Sequence, residues 1–150
     1  MRFEAADDPK ALARQLDQRL TLRTKAALVV EILRAYVRIR RLLRTLAFTE
    51  VVSRLRAQPA DPLLGEVSAQ LTGIRLGRAV SRTLRVLPAD TRCLVRSLVL
   101  TDLLARRGIE SSLVLGVKSK PSFAAHAWVE CGDVPVLPTN GSEYQRLSVV

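Results

Sequence analysis

Cys93 and His126 are the residues whose types and spacing could do chemistry. The chain holds two cysteines and one histidine. Cys93 stands in the first turn of a segment with helical periodicity. There the unpaired backbone N–H groups and the positive end of the helix dipole favour a thiolate over a thiol. Arg92 and Arg96 add positive charge nearby. His126 follows on a stretch with strand alternation that should pack beside that helix. Each residue alone has an ordinary reading, a small core cysteine and a structural histidine. Together, a thiol at a helix start facing a strand imidazole is the arrangement of a nucleophile and its base. The inventory is too small for a Cys/His zinc site, which takes four such ligands in spaced pairs. Thiol chemistry needs no metal and no other cofactor.

The elements that must position this pair lie in the second half of the chain. Asp90 and Thr91 precede an apolar run, Leu94, Val95, Leu98, Val99, Leu103 and Leu104, that ends at Arg106-Arg107-Gly108. An N-terminal cap, a buried stripe, cations in the last turn and a closing glycine predict a helix over about 91–107. Ser112–Val117 reads as a strand, followed by a polar loop over 118–121. Ala125–Cys131 alternates as a second strand, on which His126, Trp128 and Glu130 share one face. Gly132-Asp133 makes a tight turn, Val134–Leu137 the hairpin partner and Tyr144–Val150 a last strand. Helix first and antiparallel strands after give an α+β half.

Residues 1–57 read as helical throughout. Asp8-Pro9 is a helix start, with a first helix over about 9–20, and Thr21 or Thr24 caps a second. From Ala27 to Phe48, Leu28, Ile32, Leu33, Tyr36, Ile39, Leu43 and Leu46 recur at spacings of three and four. Arg34, Arg38 and Arg41 lie on one stripe. Long cationic side chains on a bundle helix usually cover its solvated face; the other reading is a docking surface for an acidic peptide or partner. Residues 58–73 look like a connecting segment with a short helical turn, and a helix spans about 74–86. The division is therefore 1–57, an Arg-rich helical region, and 58–150, the core that carries Cys93 and His126, packed as one compact unit.

Composition sets the outer bounds. Of 150 residues, 48% are apolar and 25% charged, which excludes a disordered tail. Lys+Arg 24 against Asp+Glu 14 leaves a net charge of +10, and 20 of the cations are arginine. That excess favours an anionic partner. Without interleaved aromatics or a recognised motif it does not point to nucleic acid. No signal peptide is expected at the N-terminus, and the apolar stretch 26–37 is too short and too charged to span a bilayer. A cytoplasmic location follows as the expectation, with Cys93 and Cys131 both free.

Two blocks carry a resemblance. Arg92-Cys93-Leu94-Val95-Arg96-Ser97-Leu98 and Phe123-Ala124-Ala125-His126-Ala127-Trp128-Val129-Glu130, with Gly108-Ile109 and Leu115-Gly116-Val117 between them, resemble the leader peptidases of bacterial lasso-peptide biosynthesis. These belong to the transglutaminase-like, papain-related cysteine-protease superfamily. The detailed match covers about 88–131, with a looser similarity over the Arg-rich half. The resemblance implies a nucleophile-bearing helix packed on a small antiparallel sheet. It also implies removal of the leader from a ribosomally made precursor before a separate cyclase closes the lasso. Its partners would be the precursor leader peptide, a small leader-recognition protein and the lasso cyclase.

The third catalytic member departs from that pattern. Leu137 or Pro138 stands where an aspartate is common in the family. With a two-residue turn at Gly132-Asp133, the residue facing His126 across the hairpin is near Thr139, so Asn140 is the candidate to orient the imidazole, as asparagine does in papain-like proteases. Asp133 is assigned to the turn. Glu130 shares the His126 face but lies too far along the strand for a direct hydrogen bond. Trp128 would shield the site from water and line the peptide-docking surface, or serve as ordinary core. The Cys93 backbone N–H would contribute to an oxyanion hole. The alternative function is a non-catalytic scaffold of the same fold that binds the peptide or its partners.

Overall fold

The computed structural model describes residues 21–57, 65–87, 93–119, 122–137 and 144–150. The expected first helix over 9–20 lies outside them. Four helices, α1 (Leu22–Thr45), α2 (Phe48–Arg56), α3 (Glu66–Arg85) and α4 (Cys93–Ala105), precede four strands, β1 (Ser112–Lys118), β2 (Ala124–Cys131), β3 (Val134–Pro135) and β4 (Gln145–Val149). The sheet has the order β3-β2-β1-β4, and every pairing is antiparallel. The α+β class read from the sequence is the observed one.

The centre of the fold is α4. Val95 and every residue from Ser97 to Leu104 are buried. α1, α2 and α3 pack on it from one side, β1 and β2 from the other. Gly108 adopts φ +66° beyond its end, the left-handed conformation that lets Ile109 N–H return to the Leu104 carbonyl at 3.0 Å. The buried polar side chains of α4, Ser97, Thr101 and Asp102, are each paired. Ser97 Oγ donates to the Ala127 carbonyl at 3.0 Å, and Thr101 Oγ1 to the Ser97 carbonyl at 2.9 Å. Asp102, fully buried, meets Arg38 of α1 at 3.0 Å and Arg106 at 3.1 Å. A second tie runs from Arg107, whose guanidinium donates to both carboxylate oxygens of Glu31 at 2.9 and 2.8 Å.

The N-terminal half is helical, as expected, but broken. Thr21 caps α1 by accepting from Thr24 N–H at 3.3 Å. α1 buries Ile32, Ala35 and Ile39 on α4. The chain then takes two extended residues, Leu46 (ψ 153°) and Ala47 (ψ 150°), before α2 begins. The break turns α2 so that Val51, Val52 and Leu55 enter the core. Apolar periodicity runs through the break and does not reveal it.

α3 begins at Glu66, eight residues before the expected start at 74. Gly73, the end of the expected connecting segment, is interior helix, and another segment needs its missing side chain. A Cβ on Gly73 would lie 2.8 Å from Val136 Cγ1 and 3.0 Å from Cys131 Sγ; one on Gly77 would lie 2.0 Å from the Val136 carbonyl oxygen. The two glycines, one turn apart, form a groove for the chain leaving the hairpin. This also shortens β3, expected over 134–137. Pro135 has no N–H for the ladder, and past Val136 the chain turns under α3, where Val136 and Leu137 are buried. The two-residue turn is as expected, with Gly132 at φ +59° and Cys131 paired to Val134.

Gly77→Ala should therefore destabilise the protein although alanine is the better helix former by about 1 kcal/mol. The Val136 backbone must move, an overpacking cost of about 1–3 kcal/mol that exceeds the propensity gain. A thermal melt should show a Tm several degrees lower. An unchanged Tm for Gly77→Ala would contradict this packing.

Candidate active site

The site begins with the edge of β2. Val129 directs its carbonyl to β3, accepting from Val136 N–H at 2.9 Å. Carbonyls two residues apart on a strand point to the same edge, so Ala127 directs its own there too, just where β3 has ended. Ser97 of α4 takes that position, its hydroxyl replacing a strand N–H at 3.0 Å. The helix thus continues the ladder that the short hairpin leaves open.

This contact seats the first half of α4 beside the His126 stretch of β2. Cys93, the first described residue of α4, lies four residues before Ser97, on the same side of the helix and about 6 Å back along its axis. It is half-buried, and no acidic residue stands in the first turn to oppose the positive helix end. His126 adjoins Ala127 and is also half-buried.

The β2 face that carries His126 is aromatic. His126, Trp128 and Glu130 share it, as alternation predicts. The imidazole lies 6.1 Å from the Trp128 ring centroid with planes 20° apart, and 5.1 Å from Tyr144 with planes 28° apart. Such ring pairs contribute about 0.5–1.5 kcal/mol each beyond their burial. Lys118 Nζ stands 5.5 Å from the Tyr144 centroid, on its cation-attracting face. Across the ladder, His126 pairs with Gly116, where a Cβ would come within 2.8 Å of the indole. Glycine at 116 is what lets Trp128 lie over β1.

Tyr144 carried no site role in the sequence reading. Its place depends on β4 pairing with β1 through Val117↔Gln145, next to the Gly116↔His126 pair, a register that no local signal encodes. Glu130 accepts from the Trp128 indole N–H at 2.8 Å and from Arg146 at 2.6 Å. Asp133 is exposed in the turn. Asn140 lies outside the described residues, as does Pro138. Leu137, one of the two positions where the resemblance anticipates an aspartate, is a core residue.

Arg34, Arg38 and Arg41 do share one side of α1. They line a groove of about 680 Å³ whose apolar part includes Val30, Leu33, Val37 and Leu42. Arg38 is set apart from the other two, because its guanidinium holds the buried Asp102 carboxylate.

The two thiols are not bonded to each other and differ in kind. Burial without a compensating charge pushes the Cys131 thiol from the usual 9.0 up to about 11. At pH 8 iodoacetamide should modify Cys93 alone in the folded protein and both cysteines in guanidinium, as peptide mass mapping would show. Because folded Cys131 holds its proton more tightly than the unfolded chain does, stability should fall as pH rises above about 9. The loss reaches about 2–3 kcal/mol beyond pH 11. Equal labelling of both thiols at pH 8 would contradict the burial of Cys131.

Among the described residues no helix is long and apolar enough to cross a membrane. Searches of the curated proteins and of the solved structures gave no match to the chain. The family profile described as the Transglutaminase-like superfamily matches residues 11–150, which takes in α1 through β4 and both Cys93 and His126. By that match, and with a cysteine-bearing helix packed on an antiparallel sheet that carries the histidine, the chain belongs to the transglutaminase-like superfamily.

Proposed function

We propose that the protein is a cysteine peptidase that removes the leader from a ribosomally made lasso-peptide precursor, working with a separate leader-recognition protein. The observation that carries this reading is the Ser97–Ala127 hydrogen bond. Ser97 belongs to the Cys-Leu-x-x-Ser-Leu block and Ala127 to the Ala-His-Ala-Trp-Val-Glu block, so the two segments that resemble leader peptidases meet in space through their own residues. The superfamily includes cysteine peptidases and acyltransferases, which supports acyl transfer as the reaction class.

The Cys93 thiolate attacks the scissile carbonyl carbon, forming a C–S bond and a tetrahedral oxyanion that the Cys93 backbone N–H stabilises. As the oxyanion collapses, the C–N bond breaks and the His126 imidazolium gives its proton to the leaving amine. Neutral His126 then takes a proton from water, whose oxygen displaces the thiolate and frees the leader as a carboxylate. Asn140 orients the imidazole, and Trp128 lines the peptide path while excluding water.

Cys93→Ala and His126→Ala should abolish leader removal by mass spectrometry, with circular dichroism unchanged. Asn140→Ala should cost roughly 10- to 100-fold, the scale of a supporting group. Full turnover by Cys93→Ala would overturn the peptidase reading. The burial of Leu137 in place of a carboxylate favours a second reading, a non-catalytic peptide-binding scaffold. That reading requires wild-type protein to bind the precursor and leave it uncut when the recognition protein is present.

The α1 groove is the proposed dock for an acidic segment of the recognition protein, whose carboxylates would meet Arg34 and Arg41 while its apolar side covers Val30 and Val37. Charge reversal at both arginines should weaken that association about tenfold or more and steepen no stability loss. Arg38→Glu differs, since it sets a second carboxylate against Asp102 and should lower Tm. A double reversal at 34 and 41 that leaves binding unchanged would remove this surface from the proposal.

A further inference from the structure

Glu130 is the buried carboxylate for which the reaction above has no use. Only 7% exposed, it lies on the His126 face of β2 with Trp128 between the two along the strand. Its Oε1 accepts from the Trp128 indole N–H at 2.8 Å and from the Arg146 guanidinium at 2.6 Å. Arg146 comes from β4, on the far side of β1, so the carboxylate is anchored from across the sheet. A tryptophan side chain turns about two bonds, the second with a broad torsional profile. Fixing the indole N–H fixes the ring plane, and that plane stands 6.1 Å from the imidazole at 20°.

A hydrogen bond to one imidazole nitrogen restrains the ring at a single edge atom, whereas a stacked neighbour restrains it across its whole face. The two devices are complementary, and the structure supplies the second through Trp128 and Tyr144. We propose that Glu130 is a positioning residue for His126, acting by holding the Trp128 ring against which the imidazole lies; its catalytic consequence rests on the reading of His126 as the acid–base group. Electrostatics alone would not require this arrangement, because Arg146 already neutralises the carboxylate. The additional indole bond is what couples it to the site.

The chain has one histidine, so the carbon-bound imidazole protons can be followed by NMR without ambiguity. Ring currents from the two stacked aromatics displace these signals from their positions in an exposed histidine. Glu130→Ala should move them towards the exposed positions and lower kcat about tenfold. Glu130→Gln keeps an oxygen for the indole N–H and should restore most of both. If Glu130→Ala does not fold, Trp128→Phe, which removes the N–H but keeps a ring, should displace the imidazole signals in the same direction. Unmoved signals in a folded Glu130→Ala or Trp128→Phe protein would overturn the proposal, as would a Gln variant as displaced as the Ala one. Should wild-type protein cleave no precursor, the peptidase reading fails, while the imidazole signals still decide the positioning role.

Discussion

A helix with no solvated side cannot leave any polar group to water. α4 is in that position from Ser97 to Leu104, and the rest of the structure is arranged by how its three polar side chains are satisfied. Ser97 finds the Ala127 carbonyl, Thr101 the helix backbone, and Asp102 two guanidinium groups. Leaving a buried donor or acceptor unpaired costs about 1–3 kcal/mol, and more for a charge, comparable to a large part of a domain's net stability. The Ser97 partner sits on β2 and one Asp102 partner on α1, so satisfying α4 also fixes those two elements relative to it. The first turn, with Cys93, is placed by constraints that have nothing to do with catalysis.

The arginine excess looks different once its contacts are known. Arg38, Arg106, Arg107 and Arg146 each hold a carboxylate that is buried or half-buried. Guanidinium suits this work because its flat fork can meet both carboxylate oxygens, as Arg107 does with Glu31. Exposed pairs such as Arg54–Glu50 contribute little by comparison. Part of the arginine content is thus the visible end of interior ion pairs, while the net charge of +10 is what remains after every carboxylate is counted against a cation. A stripe of arginines counted from helical spacing mixes two populations, and Arg38 shows that neighbours on one stripe can do different work.

What the sequence reveals here is what local chemistry encodes. The α4 helix, its closing Gly108, the Gly132-Asp133 turn and the shared face of His126, Trp128 and Glu130 follow from short-range signals. The missed features are long-range. Gly73 reads as a breaker until Val136 is seen to cross it, and nothing near residue 73 announces a neighbour 63 positions away. Tyr144 joins the site only through the β1–β4 register. Arg38 acquires its partner from 64 residues on. The Leu46-Ala47 break escapes because apolar spacing continues through it, while the reason for it, burial of Val51 and Leu55, is tertiary.

The hairpin exit links the unusual third position to the packing of α3. Gly73 and Gly77 admit the Val136 backbone so closely that the next residue is carried into the core, and Leu137 suits that place. A carboxylate at 137 would be buried among apolar groups, where an ion without a partner costs several kcal/mol. The tight crossing under α3 and an aspartate at 137 are therefore competing uses of the same stretch of chain, and this sequence has taken the crossing. The same choice ends β3 early, which exposes the β2 edge that Ser97 then occupies. The apolar hairpin exit and the helix on the strand edge are two results of one packing arrangement, while the opposite face of β2 is filled by the rings of Trp128 and Tyr144 against His126.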